Sequence, residues 1–337
     1  MLLSTTFYYY VMQYYKLDPE KIFNYYLKGA VIVSYIGLFQ FISYMVNFRP
    51  GYDYQWIFNK WGLVEGGFGI RLNSVFSEAS QCGIMLGPAC FVAVYNLIFR
   101  KKVFLKRHES IALLTALVLT TSSTGYLGLF IIAILITINY GQIVNLIFGV
   151  IMMIVLGNVL YNYIPEFKSR VDTSIGLWIE KDYSVTNVNS SSFVLYNNYH
   201  IAVENFKSNF LTGTGLGSHQ IAFDKYTLTK RKEILDIKFN KADGNSMLLR
   251  LMSETGLIGL VFISLFITRL YVRRNPYDGE DRLWIVSNAV LVIILLYLLR
   301  QGNYFLNGFP LFMWLYYYTG VISKEIKVPD EHIVRNV

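Results

Sequence analysis

The sequence predicts an all-α polytopic membrane protein with about eight or nine transmembrane segments and one large extracytoplasmic loop. Hydrophobic residues make up 54% of the 337 residues and charged residues only 15%, whereas a soluble domain carries about 25% charged residues. The mean hydropathy is +0.40. Apolar stretches of membrane-spanning length recur along the chain, and a polar stretch of about eighty residues, 164–246, separates them into two groups.

The apolar segments follow one another on both sides of this polar stretch. They lie near residues 2–15, 29–47, 74–99, 110–124, 126–139, 142–163, 247–268, 283–299 and 303–322. The first would be about 22 Å long as a helix, which is shorter than the ~30 Å hydrocarbon core. It also lacks the charged region and the cleavage site of a signal peptide. We therefore expect a tilted partial helix, or a chain that lacks sequence upstream of Met1.

Basic clusters predict the orientation of these segments, because loops rich in Lys and Arg stay in the cytoplasm. The clusters at 100–108 and 269–275 are such loops, which makes the 164–246 loop extracytoplasmic. The net charge of +8 therefore reflects orientation and not nucleic-acid binding. We expect N-terminal transmembrane helices at 1–163, the large loop at 164–246, C-terminal transmembrane helices at 247–323 and a cytoplasmic tail at 324–337.

Residues 110–139 leave two topologies open. Each half is about 14 residues, or roughly 21 Å of helix. We favour two short helices that break at Gly125, because glycine interrupts a helix readily and broken backbone inside a membrane is tolerated where protein or a wet cavity surrounds it. A short loop between tilted helices is the simpler alternative. A single helix would instead place the large loop in the cytoplasm.

The large loop combines three kinds of sequence. Residues 196–210 carry apolar side chains at helical spacing, which predicts an amphipathic helix on the membrane surface; they are Ile201, Val203, Phe206 and Phe210. Residues 212–220, TGTGLGSHQ, predict a glycine turn. Residues 225–245 are basic and polar.

The cysteine spacing and the absence of metal-binding and nucleotide-binding motifs exclude several kinds of site. Cys82 and Cys90 are eight residues apart in one apolar segment, about 12 Å along a helix, which is beyond the reach of a disulfide. Both are predicted to be packing residues. The sequence has no zinc-ligand spacing, no Walker A loop and no GxGxxG, so we expect neither a metal nor a cofactor.

Ionisable residues on the predicted outer side are the candidates for a functional site. They are Arg71, Glu78, Arg170, His200, His219, Arg250, Glu254 and Arg300. Several arginines without matching acids suggest an anionic ligand, because guanidinium binds phosphate oxygens in pairs and keeps its charge in a poorly hydrated site. A lipid-linked diphosphate fits such a place, because its prenyl tail stays in the bilayer while its headgroup meets the loop.

Each candidate also has a purely structural interpretation. Arg71 can extend to lipid headgroups, and Arg300 can be an interfacial anchor. Arg250 and Glu254 are four residues apart on one helix face, where they can pair with each other. A lone loop histidine is more often structural than catalytic. The triplet Asp243-Gly244-Asn245 predicts a turn first and a substrate contact second.

Four sequence blocks in a fixed order carry a more specific signal. They are RLNSVFSEASQCGIMLGP, TTSSTGYLGLF, FLTGTGLGSHQ and GNSMLLRLMSETGLIGL, with the large loop around the third. This order resembles the bacterial O-antigen polymerase and O-antigen ligase superfamily over roughly residues 70–320. The blocks GTGLG and SETGLIG carry most of the resemblance.

The resemblance implies a GT-C-like fold and a metal-independent glycosyltransferase at the outer face of the bacterial cytoplasmic (inner) membrane. Such enzymes move a glycan from undecaprenyl diphosphate to an acceptor hydroxyl, in contact with membrane lipids and alongside a chain-length regulator and a flippase. Carried over by position, the diphosphate-binding candidates are Arg71 and Arg300, followed by Arg170 and Arg250. The candidate bases are Glu254, His219, His200 and Glu78, and the acceptor-binding candidates are Asp243 and Asn245.

Three departures from the family pattern favour a polymerase over a ligase. Gly244-Asn245 stands where ligase-like members tend to have His-Asn, SSSFVLYNN lacks an arginine that many members carry there, and SSTG lacks the arginine of a Ser-Arg-Gly motif. A polysaccharide repeat-unit polymerase is therefore the primary hypothesis, and an O-antigen ligase is the second. A transporter or flippase would need ionisable groups through the membrane depth and matching halves, and a structural scaffold would leave the arginines unexplained.

Overall fold

The computed structural model describes residues 2–141 except 59, 61, 67 and 68, then 165–180, 189–228, 240–275 and 282–334, with isolated positions from 147 to 163. Its helices are α1 (Leu2–Tyr14), α2 (Pro19–Met45), α3 (Arg49–Tyr52), α4 (Ala79–Ile98), α5 (Arg107–Leu119), α6 (Ser123–Tyr140), α7 (Pro165–Ile175), α8 (Ser190–Ser208), α9 (His219–Tyr226), α10 (Met247–Leu270), α11 (Leu283–Arg300) and α12 (Phe309–Val334). A π-helix, Gly176–Glu180, follows α7, and a 3-10 turn, Leu306–Gly308, precedes α12.

The described part of the chain is mostly helical, as predicted. Two short strands, β1 (Glu65–Gly66) and β2 (Gly69–Ile70), form an antiparallel pair in the 48–73 loop. The sequence does not indicate this hairpin, because two-residue strands leave no alternating pattern to detect.

Five helices within the described residues are long and apolar enough to cross a membrane: α2, α4, α6, α10 and α11. Helices α1 and α5 have 13 residues each, about 20 Å, which is shorter than the hydrocarbon core. The apolar segment predicted at 142–163 falls largely outside the described residues. These helices identify a membrane protein.

The chain forms two compact units. The first unit comprises Met1–Met153, Arg269–Leu295 and Asn307–Val337, and the second comprises Ile154–Thr268 and Leu296–Leu306. The second unit therefore contains the large loop together with most of α10 and the turn that follows α11.

Helix boundaries differ from the predicted segments where polar residues begin or end a helix. Helix α2 begins at Pro19, ten residues before the predicted segment, because Asp18 caps it through a hydrogen bond from the Lys21 amide. The amphipathic helix predicted at 196–210 begins instead at Ser190, because the Asn189 side chain caps it. Helix α12 begins at Phe309, later than the predicted 303, and continues to Val334 through the predicted tail.

Residues 110–139 form two helices, as predicted, but the break is not at Gly125. Helix α5 ends at Leu119 and α6 begins at Ser123. The Thr120 side chain accounts for the break, because its hydroxyl donates to the Leu117 carbonyl and accepts from the Ser122 amide. Gly125 lies inside α6, where a Cβ atom on Gly83 of α4 would lie 3.1 Å from its Cα. Glycine serves close helix packing at this position.

Cys82 and Cys90 are both buried, unpaired residues of α4, as predicted. They lie in a helix that packs against both α5 and α6 and forms the centre of the first unit.

In the second unit, α8 packs against α9 through a small apolar core. Ile201 of α8 contacts Ala222 and Phe223 of α9, and all three are buried. The predicted apolar face of α8 is therefore partly an internal packing surface, since Ile201 is covered by α9 and not by lipid. Phe210, at the end of that predicted face, lies beyond the helix and is exposed.

Candidate functional site

Helix α10 is interrupted at Gly256, whose backbone has φ +61° and ψ −151°. Such a break leaves carbonyl and amide groups on both sides without their usual partners in the helix. The glycine turn predicted at 212–220 supplies those partners. The amides of Thr214 and Gly215 donate to the Ser253 and Glu254 carbonyls at 3.2 and 2.8 Å.

The hydrogen bonding is completed from the other side of the break. The Leu257 and Ile258 amides donate to the Phe210 and Leu211 carbonyls at 2.8 and 3.2 Å. Residues 210–215 therefore act as a second segment of backbone inserted into helix α10. This pairing brings the GTGLG and SETGLIG blocks into direct backbone contact.

Two glycines make this insertion possible. A Cβ atom on Gly213 would lie 2.5 Å from the Glu254 carbonyl carbon, and a Cβ atom on Gly256 would lie 2.6 Å from the Gly213 nitrogen. Both glycines also have positive φ values near +60°, which other residues rarely adopt. Asn205 secures the junction, because its side-chain amide donates to the Ser253 carbonyl and hydroxyl, each at 2.9 Å.

The first turns of α10 carry a buried ion pair, as the four-residue spacing predicted. Arg250 Nε lies 2.8 Å from Glu254 Oε1, and the Glu254 side chain is fully buried. Tyr304 donates its hydroxyl to Glu254 Oε2 at 3.0 Å, and its ring lies 4.2 Å below the Arg250 guanidinium carbon. Arg250 also donates to the Gly302 carbonyl at 3.0 Å. Both oxygens of Glu254 are thus occupied within the protein.

These contacts leave Arg250 and Glu254 bound mainly to each other and to neighbouring protein groups. Arg250 is neutralised by Glu254, and its guanidinium is further held by Gly302 and Tyr304. Burial and the neighbouring Glu254 charge raise the pKa of the Tyr304 phenol, so Tyr304 remains a hydrogen-bond donor at neutral pH. Sequence reasoning missed Tyr304, because an aromatic residue in a short turn after an apolar helix carries no specific signal.

His219 is fully buried at the start of α9, beside the ion pair. Its backbone amide donates to Glu254 Oε1 at 3.4 Å, and its Nε2 lies 3.1 Å from Asn198 Oδ1. Asn198 donates its own Nδ2 to the Val194 carbonyl at 2.9 Å, so the oxygen of its amide faces the imidazole. The imidazole must therefore donate from Nε2, which leaves a lone pair on Nδ1.

The Nδ1 atom of His219 is buried and has no hydrogen-bond partner among the described residues. Burial lowers the pKa of His219 to about 4, although the nearby Glu254 charge acts in the opposite direction. The ring is therefore neutral at physiological pH, with an unprotonated nitrogen.

Asp243 and Asn245 belong to a tight turn that contacts this ring. Asp243 Oδ1 accepts hydrogen bonds from the Asn240 side chain and the Asn245 amide, at 2.8 and 3.1 Å. Gly244, at φ +63°, approaches the imidazole so closely that a Cβ atom would lie 3.0 Å from His219 Nε2. On its other side, the turn meets Gly302, whose Cβ position would overlap the Asp243 carbonyl. The triplet thus forms the predicted turn.

Arg300 and Arg170 both border the first turn of α8. Arg300, which is half-buried, donates from Nη2 to the Ser191 hydroxyl at 3.4 Å. It forms no ion pair with any carboxylate of the described residues, in contrast to Arg250. The Arg170 carbonyl accepts hydrogen bonds from the Ser192 and Ser174 hydroxyls at 3.3 and 2.7 Å. The amides at a helix N-terminus add positive potential to that of the arginines.

The remaining candidates are His200, Arg71 and Glu78. His200 is a half-buried residue of α8 in the second unit. Arg71 and Glu78 belong to the first unit. The aliphatic part of Arg71 packs over Gly66 of β1, where a Cβ atom would lie 2.5 Å from Arg71 Cγ. Glu78 precedes α4 and accepts a hydrogen bond from the Ser80 hydroxyl at 2.9 Å.

Within the described residues, no group of three or more His, Cys, Asp or Glu side chains could hold a metal ion. No family model, no curated protein and no solved structure matches this chain.

Proposed function

We propose that this chain polymerises undecaprenyl-diphosphate-linked oligosaccharide repeat units into O-antigen, capsule or exopolysaccharide. It would do so at the outer face of a bacterial cytoplasmic membrane, with eight or nine transmembrane segments in a GT-C-like arrangement and the large loop outside. The order of sequence blocks that resembles the O-antigen polymerase and ligase superfamily motivates this proposal. The substrates are a growing chain on its carrier and one carrier-linked repeat unit.

The single observation that best supports the proposal is the environment of the Arg300 guanidinium. This side chain is half-buried and has no carboxylate partner among the described residues, and it lies with Arg170 at the first turn of a 19-residue helix. An uncompensated guanidinium in a poorly hydrated place is costly unless an anion binds there. A diphosphate supplies such an anion and gains further from the helix N-terminus.

The chemistry follows from these charges. The acceptor hydroxyl oxygen forms a bond to the anomeric carbon of the donor glycan, and the bond from that carbon to the diphosphate oxygen breaks. The hydroxyl proton goes to a general base, and the departing undecaprenyl diphosphate keeps the electron pair. Arg300 would stabilise the charge that develops on the diphosphate.

Of the two candidate bases in this cluster, Glu254 and His219, we assign the role to His219. Both Glu254 oxygens are engaged by protein donors, whereas His219 Nδ1 has no hydrogen-bond partner in the part of the chain that the structure describes. Because the ring is buried beneath Gly244, the Asp243–Ser246 turn must shift before an acceptor can reach it. Asp243 and Asn245 would then contact the acceptor as that turn moves.

The proposal is tested by reconstituting the purified protein in vesicles with carrier-linked repeat units and measuring chain length. Wild-type protein should give a ladder of products, and Arg300→Ala should leave single repeat units. Arg49→Ala is the matched control, because Arg49 is strongly exposed and paired only weakly with Asp53, at 3.6 Å. A normal ladder from Arg300→Ala protein would remove the diphosphate role.

The same assay separates the second candidate function. Ligase activity would transfer preformed polymer to a lipid A core acceptor and would leave repeat units unpolymerised. A transporter would move labelled carrier-linked units across the vesicle membrane without joining them. Neither product would be consistent with the polymerase proposal.

A further inference from the structure

The glycine turn and the two residues before it carry exposed apolar side chains that no other described element covers. Phe210, Leu211 and Leu216 are 50%, 60% and 69% exposed. We call these three residues the apolar tip. Large apolar side chains clustered at the surface indicate an interaction site, and their position along helix α10 identifies what they contact.

The position of the apolar tip along α10 follows from the backbone hydrogen bonds between them. The Phe210 and Leu211 carbonyls accept from the Leu257 and Ile258 amides, so the tip lies beside the middle of a helix that is long and apolar enough to span a membrane. Gly256 is 13 residues before Arg269, the first basic residue at the other end of the helix. That separation is about 20 Å, which is less than the ~30 Å hydrocarbon core.

The surface of α10 beside the tip is also apolar and exposed. Ile258, Val261 and Phe262 are exposed, and only 17% of the apolar window of this helix is buried within the protein. A spanning helix with such a surface faces lipid acyl chains. The tip continues this surface towards the loop.

The backbone of the junction satisfies the condition that a bilayer imposes. Broken helices are tolerated at membrane depth only where the freed amide and carbonyl groups find partners in protein or lie in a wet cavity. At Gly256, two carbonyls and two amides around the break are all paired with residues 210–215. A break exposed to water would not need such complete pairing.

We infer that the apolar tip enters the bilayer, and that Phe210, Leu211 and Leu216 contact lipid acyl chains. The turn therefore anchors the second unit in the membrane beside α10. This inference depends on α10 as a membrane span and is independent of the proposed enzymatic function.

The test places an environment-sensitive fluorophore or a nitroxide at Leu216→Cys in full-length protein in phospholipid nanodiscs. The wild-type protein serves as the labelling blank, because both native cysteines are buried. Lys225→Cys is the matched control, since Lys225 is an exposed charged residue of the same unit, on α9.

We expect the Leu216 label to emit at shorter wavelength than the Lys225 label and to be quenched by nitroxides on lipid acyl chains. Molecular oxygen should reach it better than a water-soluble nickel complex, and the control should show the reverse. Equal nickel accessibility at both sites would overturn the inference. A label shielded from both reagents would also overturn it, since that result indicates a protein partner. Leu211→Cys repeats the measurement if Leu216→Cys protein fails to fold.

Discussion

A Cβ atom on Gly256 would lie 2.6 Å from the amide nitrogen of Gly213, so these two glycines hold helix α10 and the glycine turn in direct backbone contact. The two glycines are 43 positions apart in the sequence. The contact joins the GTGLG and SETGLIG blocks, and it stabilises the interruption in α10.

Gly256→Ala should lower the free energy of unfolding by about 2–5 kcal/mol, because the methyl group meets backbone atoms that cannot move away and the positive φ is strained. Thermal unfolding in detergent measures the effect. Gly141→Ala separates the two causes, since Gly141 has φ +65° but nothing within 4 Å of its Cβ position. It should cost about 1–2 kcal/mol from backbone strain alone. Equal losses for both variants would contradict the close contact.

The buried Arg250–Glu254 pair should behave as a unit. Arg250→Ala leaves the fully buried Glu254 carboxylate without its cation and should cost about 3–5 kcal/mol. The double variant Arg250→Met with Glu254→Met should be more stable than Arg250→Ala, because no buried charge remains. A double-mutant cycle measures the coupling. Lys207→Ala is the comparison, since the Lys207–Glu204 pair is exposed and should contribute little. Additive single effects at 250 and 254 would argue against the pair.

His219 should make folding stability depend on pH. Burial lowers its folded pKa to about 4 from an ordinary 6.5, so the unfolded chain binds more protons between these values. Stability from this group is full above pH 6.5 and is lost as pH falls towards 4, by about 3 kcal/mol at most. Unfolding midpoints across this range should fall for wild type, and the slope should be smaller for His219→Gln. Identical slopes would show that the ring is not buried neutral.

Asn198 should control the protonation of His219. Asn198→Asp places a carboxylate against Nε2, which favours the charged ring and should raise the pKa of His219. The pH dependence of the proposed chain elongation should then shift to higher pH, while Asn198→Ala should lower its rate without that shift. Imidazole resonances observed by NMR report the pKa directly. An unchanged profile in Asn198→Asp protein would exclude this positioning role.

Under the proposed function, Arg71→Ala should abolish polymer while single repeat units still appear, because Arg71 is one of the guanidinium groups proposed to hold the diphosphate. Arg71→Lys should retain part of the activity, since it keeps the charge but loses the paired hydrogen bonds. Gel analysis of cell-surface polysaccharide measures both. Because the Arg71 side chain also packs over Gly66, the amount of folded protein must be compared between the variants. Normal polymer from a folded Arg71→Ala variant would make Arg71 a headgroup anchor only.

Several elements were predictable because their signals are local. The apolar character of the chain, the four-residue spacing of Arg250 and Glu254, and the glycine turn each depend on neighbouring residues. Among the described residues, the structure contains five helices long and apolar enough to span a membrane, the ion pair and the turn. The break between α5 and α6 was placed incorrectly at Gly125, because the sequence does not show that Thr120 would form the competing hydrogen bonds and Gly125 would pack against Gly83.

The sequence by itself determined that this is a helical membrane protein with an ion pair on one helix face, because hydropathy and helical spacing are properties of a continuous stretch of chain. The tertiary structure alone decided which other groups contact the charged side chains. Glu254 meets Tyr304 and the His219 amide, whereas Arg300 meets only a serine hydroxyl among the described residues. Such pairings depend on how segments distant in sequence approach one another, and the Gly213–Gly256 contact sets that approach for the glycine turn.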